Sequence, residues 1–368
     1  RDKVISLYGD PLPELVKYRT EKELGNIIEH KFSTVYYISH LLVKKSLEDG
    51  YLVGSRGSVG SSFVATLMDI TEVNPLPPHY VCPNCHFSAF KKNEEEIKQY
   101  GENDFEKENK QLLAETDCGW DLPKQKCPVC QAEMTRDGHD IPFETFLGFN
   151  GDKVPDIDLN FSGDYQSIVH EYIRKLFGKN HAFRGGTIST CAARTSFAMV
   201  KDYYKKQNDK RKKQGLEPIV VRRAEMERLS QGIEGSKRTS GQHPGGIVVV
   251  PNNRSIYDFT PVQYPGDSKD QTWKTTHYEY HSIESNLFKL DVLGHDDPTM
   301  IRYLMDLIKK HNEEVPFDNP KDIPVDDDDV YRLLSGTDII NLTKEDIQSD
   351  VASYGVPELG TSFVRGML

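Results

Sequence analysis

The chain has 368 residues, of which 37% are hydrophobic, enough to bury a sizeable core in two or three domains. Its 46 Lys and Arg stand against 57 Asp and Glu, and the net charge of -11 argues against a general polyanion binder. It shows no secretory leader pattern and no run of 18 apolar residues, so an intracellular soluble protein without membrane contact is expected.

In chain order, the first informative segment is 54–62, a loop of glycine, serine and one arginine. It follows apolar Tyr51, Leu52 and Val53 and precedes a helix expected to begin near Phe63. Small residues let a backbone approach a ligand closely. Free N–H groups at the helix start, with hydroxyls beside them, would hold phosphate oxygens. The nucleotide-binding candidates are Ser55, Arg56, Gly60, Ser61 and Ser62. The loop lacks the lysine and spacing of a P-loop, and it is not G-x-G-x-x-G. Taken alone, it reads equally as a helix cap after a flexible turn.

Five of the six cysteines lie between residues 82 and 130. Cys82/Cys85 and Cys127/Cys130 form two C-x-x-C knuckles, which supply the four soft ligands of a closed, structural Zn²⁺ site. In a reducing cytosol, thiolates rather than disulfides are expected. Cys118 is read as a spectator, Cys191 as a small buried residue, and His86 and His139 as surface or supporting residues. The preceding helix is expected to end over 67–70, and Pro75, Pro77 and Pro78 stop further helix. The knuckles then bracket a glutamate-rich arm over about 91–117, whose base the metal would clamp.

Next comes Val-Pro-Asp-Ile-Asp-Leu-Asn-Phe at 154–161. As a strand it would point Asp156 and Asp158 the same way. A third aspartate, Asp291, sits in a branched, strand-like segment, with Lys289 two residues before it on the same face. Three carboxylates from neighbouring strands are an apparatus for two divalent cations and in-line phosphoryl transfer. A D-x-D pair by itself is common in surface turns, and Lys289 by itself is a snorkelling lysine. A glycine-serine loop, then D-x-D, then a distant aspartate is the order of a nucleotidyltransferase palm. Asp296 and Asp297 read as a turn and helix cap before Pro298, and Glu144 is unsupported by spacing.

Between these aspartates, 166–177 has helical periodicity, with Gly178 as its C-cap. Residues 181–190 read as strand and turn, and 193–204 and 223–229 as helices. Residues 201–238 hold 12 Lys and Arg against 6 Asp and Glu, a basic stretch within an acidic chain. Such a stretch could track a nucleic-acid backbone; the run 205–213 reads otherwise as an ordinary solvated loop, and its length suits a local insertion. Acidic charge gathers at 94–117 and 326–329. Lys237, Arg238 and His243 lead through short residues and paired glycines into a core strand at 247–250. They are candidates for contacts to phosphate or primer, with a structural role for His243 equally open.

The chain closely resembles the C-family replicative DNA polymerases of the Gram-positive type. The resemblance is densest at 51–62, 72–85, 139–149, 154–163, 241–251, 256–265 and 289–299. It implies an α/β (α+β) nucleotidyltransferase-like palm of DNA polymerase beta-like topology, with a zinc-binding insertion and an inserted helical thumb. The implied boundaries are palm 1–187 (insertion about 79–135), thumb 188–246, palm 247–310, then linker and start of fingers 311–368. Asp156, Asp158 and Asp291 would hold two Mg²⁺, with Mn²⁺ as a substitute, and Ser55, Gly60 and Ser62 would contact the triphosphate of the incoming dNTP. The family also places a lysine at the position of Lys289.

Primer–template DNA is the implied partner, with the sliding clamp and other replisome subunits in the intact protein. The place implied is the cytoplasm, at nucleoid replication forks. The chain starts without Met and stops at a segment resembling a helix start, so a piece of a longer protein is expected. The sequence departs from the family's wording at 337–342 and 189–193. Two other readings stand beside this one: a non-templated nucleotidyltransferase of the same palm superfamily, and an inactive, zinc-stabilised DNA-binding scaffold.

Overall fold

The computed structural model describes residues 1–149, 153–264, 272–311, 320–325 and 327–368. Asp326 of the acidic run and most of the expected linker at 312–319 lie outside the described residues. The chain opens with helices α1 (Asp2–Tyr8), α2 (Glu14–Glu29) and α3 (Ser33–Glu48), then β1 (Gly54–Arg56) and α4 (Phe63–Leu67). There follow β2 (His79–Val81), β3 (Ser88–Phe90), α5 (Glu94–Tyr100), α6 (Asp104–Glu108), α7 (Lys110–Glu115) and β4 (Thr135–Asp137). Helix α8 (Glu144–Leu147) leads to β5 (Asp158–Ser162), α9 (Gln166–Phe177), β6 (Ala182–Thr190), α10 (Ala193–Lys213) and α11 (Arg223–Ile233). Then come β7 (Lys237–Val249), β8 (Val262–Gln263), β9 (Thr275–Glu279), β10 (Phe288–His295) and α12 (Asp296–Lys310). Short helices α13 (Asp328–Arg332), α14 (Lys344–Ile347) and α15 (Ser362–Arg365) follow.

These elements form two compact units, Arg1–Val169 with Val292–Leu368, and His170–Asp291. In the first, Val4, Tyr8, Leu15, Val16, Phe63, Leu76 and Phe90 make a core that packs α1 and α2 on α4 and the base of the insertion. Each such fully buried side chain gains about 1.5–3 kcal/mol. The insertion is a three-stranded antiparallel sheet, β3–β2–β4. It has its own core of Tyr80, Leu113, Leu122 and Met134 around Cys82 and Cys127. Its glutamate-rich arm folds into helices. Asn93 and Asn103 form capping boxes at the starts of α5 and α6. Buried Glu106 ties the arm down, accepting from Phe90 N at 2.7 Å and from Lys92 Nζ at 2.8 Å.

In the second unit the strand order is β10–β7–β6–β9–β8. The pairs are antiparallel except β6 with β9, which is parallel. Phe183, Val248, Val250, Ile256, Ile283 and Leu287 fill its core. Gly186 lies so close to β9 that an added Cβ would stand 2.1 Å from the Thr276 carbonyl oxygen. Helices α10 and α11 form an antiparallel pair, with Ser230 Oγ reaching the Ala193 carbonyl at 3.5 Å.

The expected helix at 166–177 matches α9, and Gly178 has the left-handed φ of 91° that a C-cap requires. Two expectations need correction. The run 205–213 is the continuation of α10, not a loop. Its cations gather in the last turn, where a helix favours positive charge, and Lys206 pairs with Asp202 one turn back at 2.7 Å. The segment 239–246 is part of the 13-residue strand β7, because its partner β6 supplies a ladder from Thr190 to Ala182.

His79 yields a pH prediction. It is fully buried and uses both ring nitrogens. Nδ1 donates to the Pro77 carbonyl at 2.8 Å, and Nε2 accepts from the Tyr8 hydroxyl at 3.0 Å. Burial holds its imidazole below the ordinary value, against Asp137 and the Pro77 carbonyl, which pull it up. The neutral ring is therefore native, whereas the unfolded chain takes up a proton below about pH 6.5. The His79 contribution should be complete above that pH and fade as pH falls below it. The urea midpoint should drop between pH 7.5 and 5.5 more in the wild type than in His79→Asn. Equal drops would remove His79 from the account.

Candidate metal centres and phosphate loop

The two knuckles repeat one backbone turn. Cys82 N donates to Phe87 O and Cys127 N to Ala132 O, each at 2.8 Å. His86 and Gln131, each just after a knuckle's second cysteine, take left-handed φ of 59° and 63°. The Sγ atoms of Cys82, Cys85, Cys127 and Cys130 all lie within 4.8 Å of one another. Cys82 to Cys130 is 3.4 Å and Cys85 to Cys127 is 3.5 Å. A tetrahedron with Zn–S bonds of about 2.3 Å has edges near 3.8 Å, so this all-sulfur set fits zinc. His86 Nδ1 meets the Leu7 carbonyl and His139 Nδ1 the Asn74 carbonyl, so both are engaged elsewhere. Cys118 and Cys191 are free and stand outside the cluster.

Strand β1 lies antiparallel to β5, with Ser55 opposite Leu159 and Arg56 opposite Asp158. The glycine-serine loop thus runs beside the aspartate strand. Burial alternates from Asp156 to Phe161, with Ile157, Leu159 and Phe161 inside, so Asp156 and Asp158 share the outer side. The ladder itself begins at Asp158, and Asp156 is exposed just before it. Carboxylate oxygens of the two come within 4.8 Å.

The loop past Arg56 turns at Gly57, whose φ is 74°, through a 3-10 turn (Gly57–Ser61) into α4. The helix start departs from expectation. Its first N–H groups are not free, because Phe63 N and Val64 N each donate at 3.0 Å to the fully buried carboxylate of Glu23. Ser62 Oγ also donates to Glu23, at 3.0 Å, and accepts from Ala65 N and the Tyr36 hydroxyl. Arg19 closes the network, with Nε on Glu23 and Nη2 on the carbonyls of Ser61 and Ile141 at 2.8 and 2.9 Å. Burial pushes the Glu23 carboxyl up, opposed by Arg19 and the two N–H groups. Glu23 was missed because it is remote in sequence. Its signal was an acid on the apolar stripe of α2, in step with Val16 and Ile27.

Ser61 and Ser62 are buried, and Gly60 packs against Val73. Ser55 and Arg56 lie nearer solvent. Ser55 Oγ meets Thr71 Oγ1 at 2.7 Å, and Arg56 pairs with Glu358 at 3.2 Å.

The second unit holds Asp291, Lys289 and His243. Asp291 is buried on β10 opposite Gly246. One of its oxygens accepts from Lys289 Nζ at 2.7 Å, and Oδ1 has no partner among the described residues. A buried carboxylate oxygen without a donor suits a cation. Lys289 Nζ also lies 4.8 Å above the Tyr280 ring. His243 Nδ1 accepts from Gly245 N and Gly246 N at 3.2 and 2.6 Å. Burial lowers its pKa, against Asp291 and with Lys289 and Arg184. The ring therefore shapes the glycine pair that faces Asp291. Lys237 and Arg238 are exposed at the start of β7.

Residues 1–294 match the family model described as bacterial DNA polymerase III alpha NTPase domain. Residues 297–368 match the bacterial DNA polymerase III alpha subunit finger domain. The chain belongs to the PolC-type DNA polymerase III alpha family. It is 53% identical over 362 residues to the DNA polymerase III PolC-type of Halalkalibacterium halodurans, covering 98% of this chain and 23% of that protein. The proteins of the same description from Bacillus cereus and Bacillus subtilis are each 52% identical over 363 residues, covering 99% of this chain and 23% of theirs. The chain thus spans about a quarter of the length of these relatives. The mixed α/β fold with a four-cysteine insertion agrees with a palm-like nucleotidyltransferase. Among the described residues, no helix is long and apolar enough to cross a membrane.

Two outcomes follow. Cys82→Ser should remove the bound zinc, measured by native mass, and lower the melting temperature of the insertion's packing. A full complement of zinc in that variant would exclude Cys82 as a ligand. Glu23→Gln leaves the loop donors facing an uncharged amide and Arg19 unpaired, which should cost about 3 kcal/mol of unfolding free energy. An unchanged urea midpoint would show that the loop does not depend on this carboxylate.

Proposed function

We propose that the protein containing this chain is a template-directed DNA polymerase, extending a primer 3′-hydroxyl with dNTPs and releasing pyrophosphate. The observation that carries the reading is the pairing of the glycine-serine strand with the aspartate strand, Arg56 opposite Asp158, in a chain of this family. Asp156, Asp158 and Asp291 would together hold two Mg²⁺, with Mn²⁺ as a substitute, in an all-oxygen site. When bound, such ions lower the pKa of the attacking hydroxyl and stabilise the leaving pyrophosphate.

The chain's own residues do the rest. Ser55 and Arg56 reach the triphosphate from the exposed part of the loop, while Gly60, Ser61 and Ser62 fix the loop's course from inside. Lys289 offsets the charge of Asp291 and orients it. The helices and ribbon of 188–246 act as a thumb, with Lys237 and Arg238 on duplex phosphates and no sequence preference. His243 positions the backbone beside Asp291. Base choice comes from the template. In the cell the reading implies work at cytoplasmic replication forks with a sliding clamp, and Zn²⁺ held by the four cysteines in a structural role.

Asp291→Ala and Asp156→Ala in the intact protein should each cut Mg²⁺-dependent primer extension by orders of magnitude, with duplex affinity nearly unchanged in a gel-shift titration. Extension at the wild-type rate by either variant would refute the metal assignment. Template-independent addition by the wild type would point to the tailing class of nucleotidyltransferase.

A further inference from the structure

The second unit contains a cavity of about 430 Å³ that the polymerase reading does not use. The size is that of a small-ligand site. Arg174, Lys179, Arg254 and Lys274 line it, and none of its described lining residues is an acid, in a chain of net charge -11. Lys179, Arg254 and Lys274 are exposed. Lys179, Arg254 and Lys274 on one cavity wall, with no acid among its described lining residues, give it a positive potential that suits an anion.

The wall is also aromatic. Trp273 and Tyr257 line the same cavity. Trp273 is held in place from two sides: the Arg174 guanidinium lies 4.6 Å from its ring centroid, and its Nε1 donates to Glu171 at 2.8 Å. Glu171 accepts from Arg174 at 2.8 Å as well, so one carboxylate fixes both the ring and the cation against it. A fixed indole in a cavity that cations line joins a surface for a planar base to a seat for its phosphate.

We infer that this cavity binds a nucleotide, its phosphate on Lys179 and Arg254 and its base against Trp273. The same chemistry is offered by a free mononucleotide and by one residue of a single strand. The site does not rest on the polymerase reading, since it needs neither Asp291 nor a divalent ion.

Trp273 itself reports the binding. The chain has two tryptophans, so Trp120→Phe leaves Trp273 as the sole indole. In that background, without added divalent ion, the probes are dAMP, a thymidylate tetramer and inorganic phosphate. Saturable quenching by dAMP or the tetramer is expected. It should weaken at least tenfold in Lys179→Ala/Arg254→Ala, two exposed positions whose loss should leave the melting temperature unchanged. Tighter, salt-sensitive quenching by the tetramer assigns the site to a strand, and equal or weaker quenching assigns it to free nucleotide. No quenching by either, quenching indifferent to the double substitution, or equal competition by inorganic phosphate would each overturn the proposal. Failure of primer extension would leave this result untouched.

Discussion

A buried carboxylate organises the glycine-serine loop. Glu23 lies in the core with no solvent exposure, and burying a charge is costly unless it is fully partnered. Here it is partnered by two backbone N–H groups of α4, by Ser62 and by Arg19. A five-residue helix is too short to hold itself together in water. Glu23 takes up the orphan donors at its start and joins it to α2. Arg19 carries the connection on to the Ser61 and Ile141 carbonyls, so the loop, the first helices and the return from the insertion share one polar network. With Glu23 on the first N–H groups of α4, the polar groups of the loop nearest solvent are those of half-buried Ser55 and exposed Arg56.

The zinc insertion solves a different problem. Its strands are three residues each, and its helices run from five to seven. Such pieces bury little apolar area, and small units of this kind need a staple. The sulfur cluster closes the base while Glu106 and Lys92 fasten the arm to β3. Both devices act on the fold, and neither requires a nucleic-acid contact.

Charge in the second unit is arranged locally. Asp291 is paired on one oxygen with Lys289, and its other oxygen has no partner among the described residues. His243 stays neutral and accepts from the glycine backbone opposite. The basic turns of α10 and the cationic cavity lie in the same unit, inside an acidic chain. Net charge says nothing of such placement, because the fields that bind phosphate fall off over a Debye length of about 8–10 Å.

The sequence alone determined what depends on spacing. Two C-x-x-C knuckles fixed the sulfur set, because four soft ligands in that pattern have few other uses. Alternation over 156–161 fixed which side of the chain carries Asp156 and Asp158, and the two-residue step fixed Lys289 beside Asp291. Helical periodicity gave α9 to the residue. Only the tertiary structure decided what depends on distant partners. Glu23 reaches the loop from about forty residues away, which no local window contains. The segment 239–246 is a strand because β6 lies alongside it, despite its glycines and proline, since ladder hydrogen bonds from a partner outweigh weak local preference. The run 205–213 stays helical because long cationic side chains lose little in a helix, and a continuing helix satisfies its backbone where a loop would not. The cations around Trp273 come from three separate segments, and packing alone gathers them at one cavity.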